Sequence, residues 1–340
     1  MKKILIVANY KGHVGGISGQ VEMLYNCLNK GTGSRDYYTA DIYSTQGCII
    51  KRICLFVKLL LVASRYDVIH MHGCSERGFL PIVYGVIAGK LWRKRMIVTY
   101  HGGDADKYFS RHSSFVKRWL GRADKVIVLN GYLEKVFKKY GISCIVIPNI
   151  IELSEIQEHS DYQWDAPRLI SVRHLRELYN IQCALQAYAN IKKQLPNATF
   201  TILGEGPLRK DLENFVEKNG VEDVTFVGQV DNKEMQYYLK QSDIMLSTPH
   251  IDNMPVSLME AMNAKVLVIS TNVGGVPYMI KDGVTGMLFK DDDAEELATK
   301  ILQVVHYPKQ TMEMISQAHN EVKKYSWEEI CKQLLPLYND

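Results

Sequence analysis

The feature that most narrows the fold is a rhythm. Short runs of branched apolar residues, bounded by polar or glycine residues, alternate with longer helix-compatible runs along all 340 residues. Before residue 150 these runs are KILIVAN (3–9), VIHMH (68–72), MIVTYH (96–101), KVIVLN (125–130) and IVIPN (145–149). Beyond it they are RLISV (168–172), TFTILG (199–204), VTFVG (224–228), IMLST (244–248) and KVLVIS (265–270), with helical runs such as CALQAYANIKKQL (183–195) between them. Near-continuous apolar strands are covered on both faces, as in parallel sheets flanked by helices. A chain of this length exceeds one typical core, so two alternating sets predict an α/β architecture of two doubly wound, Rossmann-like domains. The acidic segment ELSEIQEHSDYQWDAP (152–167) is the expected link. Ligands of such sheets bind beyond the carboxyl ends of the strands, which places function in a cleft between the domains.

Charge is divided unevenly between the halves. Residues 1–148 carry 23 Lys+Arg against 9 Asp+Glu, and residues 149–340 carry 18 against 28. A basic first half suits nucleic acid, an anionic acceptor or an anionic membrane face, or stands as a solvated surface without a partner; no nucleic-acid partner is expected. The seven cysteines (27, 48, 54, 74, 144, 183, 331) form no CxxC pair and no Cys/His cluster at metal spacing, so a reduced compartment and no metal site are expected. The apolar run of MKKILIVANY is too short for a signal peptide, and runs 53–63 and 79–92 are too short or too interrupted by lysine to span a bilayer. A cytoplasmic protein is the expectation.

The densest chemistry lies in DNMPVSLMEAM (252–262). Pro255 suits the start of a helix, with Asp252 in the loop before it and Glu260 just over one turn in. Side chains lean toward a helix N-terminus, so both carboxylates are expected to face one volume with the free N–H groups of Val256 and Ser257. Acids accept hydroxyls and amides hold phosphate, a combination that a sugar nucleotide would satisfy. A capped surface helix with a solvated Glu260 is the alternative. Glycines at 12, 15, 16 and 19 follow the first strand without GxGxxG spacing, leaving either backbone access to phosphate or a flexible turn. His70 and His72 follow one strand and His101 opens HGGD (101–104) after another, where a histidine can donate to a ligand oxygen. Arg173 and Arg176, in SVRHLRELYN (171–180), are two of only four arginines in the acidic half and are candidates to grip a diphosphate.

Taken together these residues resemble the retaining glycosyltransferases of family GT4, with the GT-B fold. The resemblance runs along nearly the whole chain and is strongest in 228–289, through GQV, STPHIDNMPVSLMEAM and TNVGGVPYMIKDGVTGMLF; IPN (147–149), LGEGPLR (203–209) and YSW (325–327) agree with it. It implies an N-terminal acceptor-binding domain (1–150), a C-terminal nucleotide-sugar donor domain (151–322) and a final helix (323–340) crossing back to the first. Glu260 then matches the residue that binds ribose hydroxyls and Asp252 the acid on the donor sugar. The backbone of Val256 and Ser257 matches the phosphate-binding turn, which Gly15 and Gly16 would approach from the other domain, and Asn253, Met254 and Pro255 are implied as further donor-binding residues. Arg173 takes the leaving-group phosphates with Arg176 as a second positive charge, Gly204 lies in the donor loop, Val230 is next to the base, and His101 is beside the sugar. Three positions depart from the family pattern: Asp252 replaces the commoner Glu, the lysine usual a turn after the arginine is absent, and NAKVLV (263–268) replaces Gly-x-Pro.

The implied activity is transfer of a hexose or N-acetylhexosamine, with retention, from a UDP-sugar or another nucleoside-diphosphate sugar to a hydroxyl of a lipid-linked or polysaccharide acceptor. It needs no cofactor and no metal. His72 and Asp104 are acceptor candidates. In RICLFVKLLLVASR (52–65), Lys58 and Arg65 stand seven apart with Lys51 seven before, a basic stripe on an apolar helix that suits peripheral binding to an anionic membrane. A core helix with a basic edge is the alternative. A UDP-sugar epimerase of the same fold and a non-catalytic UDP-sugar-binding relative are the competing functions.

Overall fold

The computed structural model describes residues 2–12, 16–30, 38–153 and 161–339. Gly15 and residues 154–160 of the expected link lie outside them. The chain divides into two compact units, residues 1–152 with 324–340, and residues 153–323.

In the first unit β1 (Lys2–Ala8), β2 (Tyr38–Ser44), β3 (Val68–Gly73), β4 (Arg95–Tyr100), β5 (Lys125–Val128) and β6 (Ile145–Val146) form one sheet, in the order β2-β1-β3-β4-β5-β6 and parallel throughout. The crossovers that parallel strands require carry α1 (Ile17–Lys30), α2 (Ile49–Val62), α3 (Leu80–Leu91), α4 (Ala105–Leu120) and α5 (Gly131–Lys139). Alternate residues of the buried strands feed two apolar layers: Leu5, Val7, Ile69 and Val98 on one face, Ile4, Ile6, Val68 and Ile97 on the other. The chain's last helix covers the second layer with Trp327, Ile330, Leu334 and Tyr338. Each such side chain contributes about 1.5–3 kcal/mol by leaving water. The strand order reverses between β1 and β3, the point where an open α/β sheet leaves a crevice.

The second unit repeats the plan. β7 (Arg168–Val172), β8 (Thr199–Leu203), β9 (Val224–Gly228), β10 (Ile244–Ser247), β11 (Leu267–Thr271) and β12 (Met287–Phe289) are parallel in the order β12-β11-β10-β7-β8-β9. α6 (Ile181–Lys192), α7 (Arg209–Lys218), α8 (Asn232–Lys240), α9 (Val256–Asn263), α10 (Ala294–His306) and α11 (Pro308–Val322) flank it, and α12 (Trp327–Asn339) is the helix already met in the first unit. Here the order reverses between β7 and β10. Their starts are stapled by buried Asp243, which accepts two bonds from the Arg168 guanidinium (2.8 and 3.0 Å) and one from its backbone N–H.

Two strands go beyond the sequence expectation, β2 and β12, and several are trimmed, KVIVLN ending at Val128 and two others more clearly. The run KVLVIS begins pairing only at Leu267, because Lys265 takes a left-handed φ of 57° and Val266 still bonds back to Ala261 of α9. The pairing of IVIPN ends at Val146, ahead of Pro148, which has no N–H to give.

Candidate active site

The carboxyl ends of β7 and β10 bring together most of the residues singled out above. Arg173 is the first residue past β7, and its backbone N–H donates to Leu203 at 3.0 Å. Its Nη2 pairs with Asp252 Oδ2 at 2.9 Å and reaches Ser247 Oγ, the last residue of β10, at 3.4 Å. The guanidinium lies 5.4 Å over the Tyr179 ring. Tyr179 is held there by Thr248, whose hydroxyl donates to the Tyr179 and Asn180 carbonyls. The other arginines of the unit are placed differently: Arg168 is the Asp243 staple, Arg209 is held by Glu205 and Glu213, and Arg176 is exposed and pairs with neither acid of the site. Arg173 is thus the arginine that the fold delivers to the switch point.

Asp252 sits in the loop before α9 and accepts the Asn253 N–H at 2.7 Å. Its own carbonyl accepts from Gly275 at 2.9 Å, and a Cβ on Gly274, at φ 53°, would lie 2.1 Å from that oxygen. The Gly-Gly turn therefore fixes Asp252, a long-range role that the sequence motif alone did not disclose. Gly204 acts likewise on Arg173: at φ 141° its missing Cβ leaves room for the Arg173 carbonyl, which a methyl group would meet at 1.9 Å. Val230 follows β9 and is half-buried. Asn253, Met254 and Pro255 are buried, and Pro255 caps α9, so that Val256 and Ser257 are its first two residues.

Electrostatics mark this corner as unfinished. Burial pushes the Glu260 carboxyl up to about 7, against the lowering pull of Arg173. Arg173 Nε and Ser257 Oγ are both buried, and neither has a hydrogen-bond partner among the described residues. Leaving such groups unmade costs about 1–3 kcal/mol each, so water or a ligand is expected to satisfy them. Two donors, a helix N-terminus and two carboxylates on one switch point can hold an anion and hydroxyls at once.

In the first unit His70 and His72 lie within β3 rather than after it, and they stack with His101, the first residue past β4. His72 Nδ1 and His101 Nε2 are 3.0 Å apart with rings stacked at 5.2 Å, and the His70 ring lies 4.4 Å from that of His72. His70 spends both nitrogens inside the fold, on Tyr338 Oη and Thr99 Oγ1, each at 2.8 Å. Burial keeps all three neutral, lowering His101 to about 4 and His70 to about 3, with His72 well below its ordinary value. His72 Nε2 has no partner among the described residues. The histidines line a cavity of about 30 Å³ with Gln20, Asn149 and Ile330, enough to admit water. Asp104 accepts from Ser75 Oγ at 2.6 Å. Ser75 has one hydrogen, so Tyr100, 2.8 Å away, donates to it. Gly16 precedes α1 with a left-handed φ of 66°, and among the described residues nothing lies within 4 Å of where its Cβ would be. Among the described residues no group of three or more His, Cys, Asp or Glu could hold a metal ion.

Comparison with known proteins bears on the family and the fold. A model described as glycosyl transferases group 1 matches residues 154–321, and one described as glycosyltransferase family 4 matches residues 49–155. An uncharacterized glycosyltransferase of Methanocaldococcus jannaschii is 23% identical over 286 residues, 83% of this chain and 78% of that one. The amylovoran biosynthesis glycosyltransferase AmsK of Erwinia amylovora is 32% identical over 144 residues, covering 40% of this chain and 35% of its own. Among solved structures, Anabaena HepE in complex with UDP-glucose shares the fold with a TM-score of 0.79 at 17% identity, over the whole of both chains. The site at the β7/β10 switch point thus belongs to a protein of the group 1, GT4-like glycosyltransferases with the GT-B fold.

Proposed function

We propose that the protein is a retaining, metal-independent glycosyltransferase. It moves a hexose or N-acetylhexosamine from a UDP-sugar to a hydroxyl of a lipid-linked oligosaccharide or polysaccharide acceptor, in the building of cell-surface polysaccharide or glycolipid. The observation that carries this reading is the pair of orphaned donors, Arg173 Nε and Ser257 Oγ, between Asp252 and Glu260. The UDP-glucose bound by the HepE structure and the amylovoran role of AmsK support the choice of donor and pathway.

Transfer breaks the bond from the anomeric carbon to the diphosphate oxygen and forms one to the acceptor oxygen. As the first bond lengthens, negative charge grows on the diphosphate and the anomeric carbon becomes oxocarbenium-like. Arg173, the Ser257 hydroxyl and the free N–H groups of Val256 and Ser257 stabilise that charge, each already in place before the reaction. Asp252 holds donor-sugar hydroxyls, Glu260 the ribose hydroxyls, and the backbone at Val230 the base. On the first unit His101, neutral, donates to a sugar oxygen, and His72 and Asp104 contact the acceptor. The acceptor's proton passes to the departing phosphate oxygen. The enzyme works as a peripheral protein at the inner face of the cell membrane; among the described residues no helix is long and apolar enough to cross one.

A screen of UDP-, GDP- and ADP-sugars for nucleoside diphosphate release, with Glu260→Ala as the blank and acceptor lipids supplied, tests the reading. Release with one sugar, and a product whose anomeric proton coupling matches the donor, is expected. Epimerised donor with no diphosphate released would replace transfer with isomerisation.

A further inference from the structure

A helix packed on a doubly wound sheet ordinarily buries its apolar stripe and shows charge to water. α2 departs from this. It buries Leu59 and sets Phe56 against Tyr84 of α3 at 4.7 Å, yet Ile50, Ile53, Val57 and Leu61 are 76, 58, 52 and 68% exposed. Steps of three, four and four put them in one row along three turns. At 100° per residue, Lys51 and Lys58 line the flank of that row away from Phe56, Arg65 follows in the 3-10 turn just past the helix, and all three are exposed. On the Phe56 side, the end of α3 presents exposed Leu91 and Trp92 between Lys90 and Arg93. The Trp92 indole donates to the Leu60 carbonyl at 2.6 Å, which fixes this edge to α2. No acidic residue occurs from 42 to 66 or from 77 to 103.

We propose that this face inserts into the headgroup region of an anionic bilayer, with the aliphatic row and Trp92 at the acyl boundary and the two cationic flanks against lipid phosphates. This deepens the membrane-side reading above and rests on it only for the reason that a membrane is visited. At about 1.5 Å per residue α2 is about 21 Å long, so it lies in the interface and does not span it. Symmetric pairing of this face with the same face of a second copy fits poorly, since cations would meet cations. A water-soluble polysaccharide gives no use to four exposed aliphatic side chains. Cationic flanks alone would give binding that salt abolishes; the apolar row adds a part that salt leaves in place.

The test is sedimentation with vesicles of equal parts phosphatidylcholine and phosphatidylglycerol, at low salt and at about 0.5 M, where exposed charges are screened. Wild type is compared with an Ile53→Ser, Val57→Ser, Leu61→Ser variant and a Lys51→Gln, Lys58→Gln, Arg65→Gln variant. The replaced side chains face solvent, and melting curves check that each variant is folded. Wild type should partition at low salt and keep a bound fraction at high salt. The serine variant should lose at least tenfold in partition coefficient at both, and the glutamine variant mainly at low salt. UDP affinity should be unchanged throughout. Absence of wild-type binding, equal partitioning of the serine variant, or a wild-type dimer that the serine changes dissolve would each overturn the proposal. Vesicle binding without UDP binding would leave the surface standing and remove the transferase reading instead.

Discussion

Replacing Arg173 with methionine keeps the aliphatic stem and removes the charge that Asp252, Ser247 and Tyr179 all face. At 2.9 Å and an effective dielectric constant of about 20, the attraction between the two unit charges is about 6 kcal/mol, much of which desolvation cancels. Breaking a mostly buried pair from one side strands the other charge and costs about 3–5 kcal/mol; here the side chains are 11% and 19% exposed. For a unit the size of residues 153–323, a loss of about 3 kcal/mol lowers the melting midpoint by about 6–12 °C. Adding Asp252→Asn removes the stranded carboxylate, so the double variant should regain most of that loss. Turnover should not return, because the charge opposite the leaving diphosphate is gone; a fall of about 100-fold or more is expected in both variants. Melting curves and diphosphate release on the four proteins of this cycle separate the two roles. An Arg173→Met protein that melts with wild type, or keeps most of its turnover, refutes the reasoning.

Gly274→Ala places a methyl group against the Asp252 carbonyl and strains a left-handed backbone by about 1–2 kcal/mol; calorimetry should show UDP-sugar affinity reduced about tenfold or more while UDP affinity is kept. The two units should respond to acid with opposite sign. Glu260, raised to about 7, holds a proton in the folded state that the unfolded chain releases above about 4.5, so its contribution is full at low pH and lost as pH rises through 7. His70 and His101, at about 3 and 4, refuse protons that the unfolded chain takes up below 6.5, so their contribution is full above 6.5 and lost as pH falls. Hydrogen exchange at pH 7 and pH 5 should therefore show Glu260→Gln and His101→Gln shifting protection oppositely relative to wild type, each in its own unit. Tyr338→Phe strands His70 Nδ1 and should cost about 1–3 kcal/mol by chemical denaturation.

The interior of the fold was legible because strands buried on both faces must be apolar at nearly every position, as in KILIVA and MIVTY. The two strands that went unread are both sheet edges. β2 (YTADIYS) is mixed and polar because an edge is covered less fully, and β12 is only three residues long. In the site, Asp252, Glu260 and the turn between them were readable because one helix start sets their geometry. What fixes them was not: Gly274 acts on Asp252 and Gly204 on Arg173 across gaps of sequence that no local pattern records. Likewise the partner of His70 is Tyr338, on the last helix. The outward apolar row of α2 also escaped, since spacing tells which residues share a face and not which face meets water.

The central claim is that the orphaned donors at the β7/β10 switch point exist to hold a diphosphate. Calorimetric titration of UDP, GDP and ADP, each against its own nucleoside, measures this without an acceptor or a donor sugar. Two charge-assisted bonds at about 1.5 kcal/mol or more each predict one diphosphate binding at least about 100-fold tighter than its nucleoside. Ser257→Ala should narrow that gap. If every nucleoside diphosphate binds no better than its nucleoside, the diphosphate is not what this corner of the protein is built for.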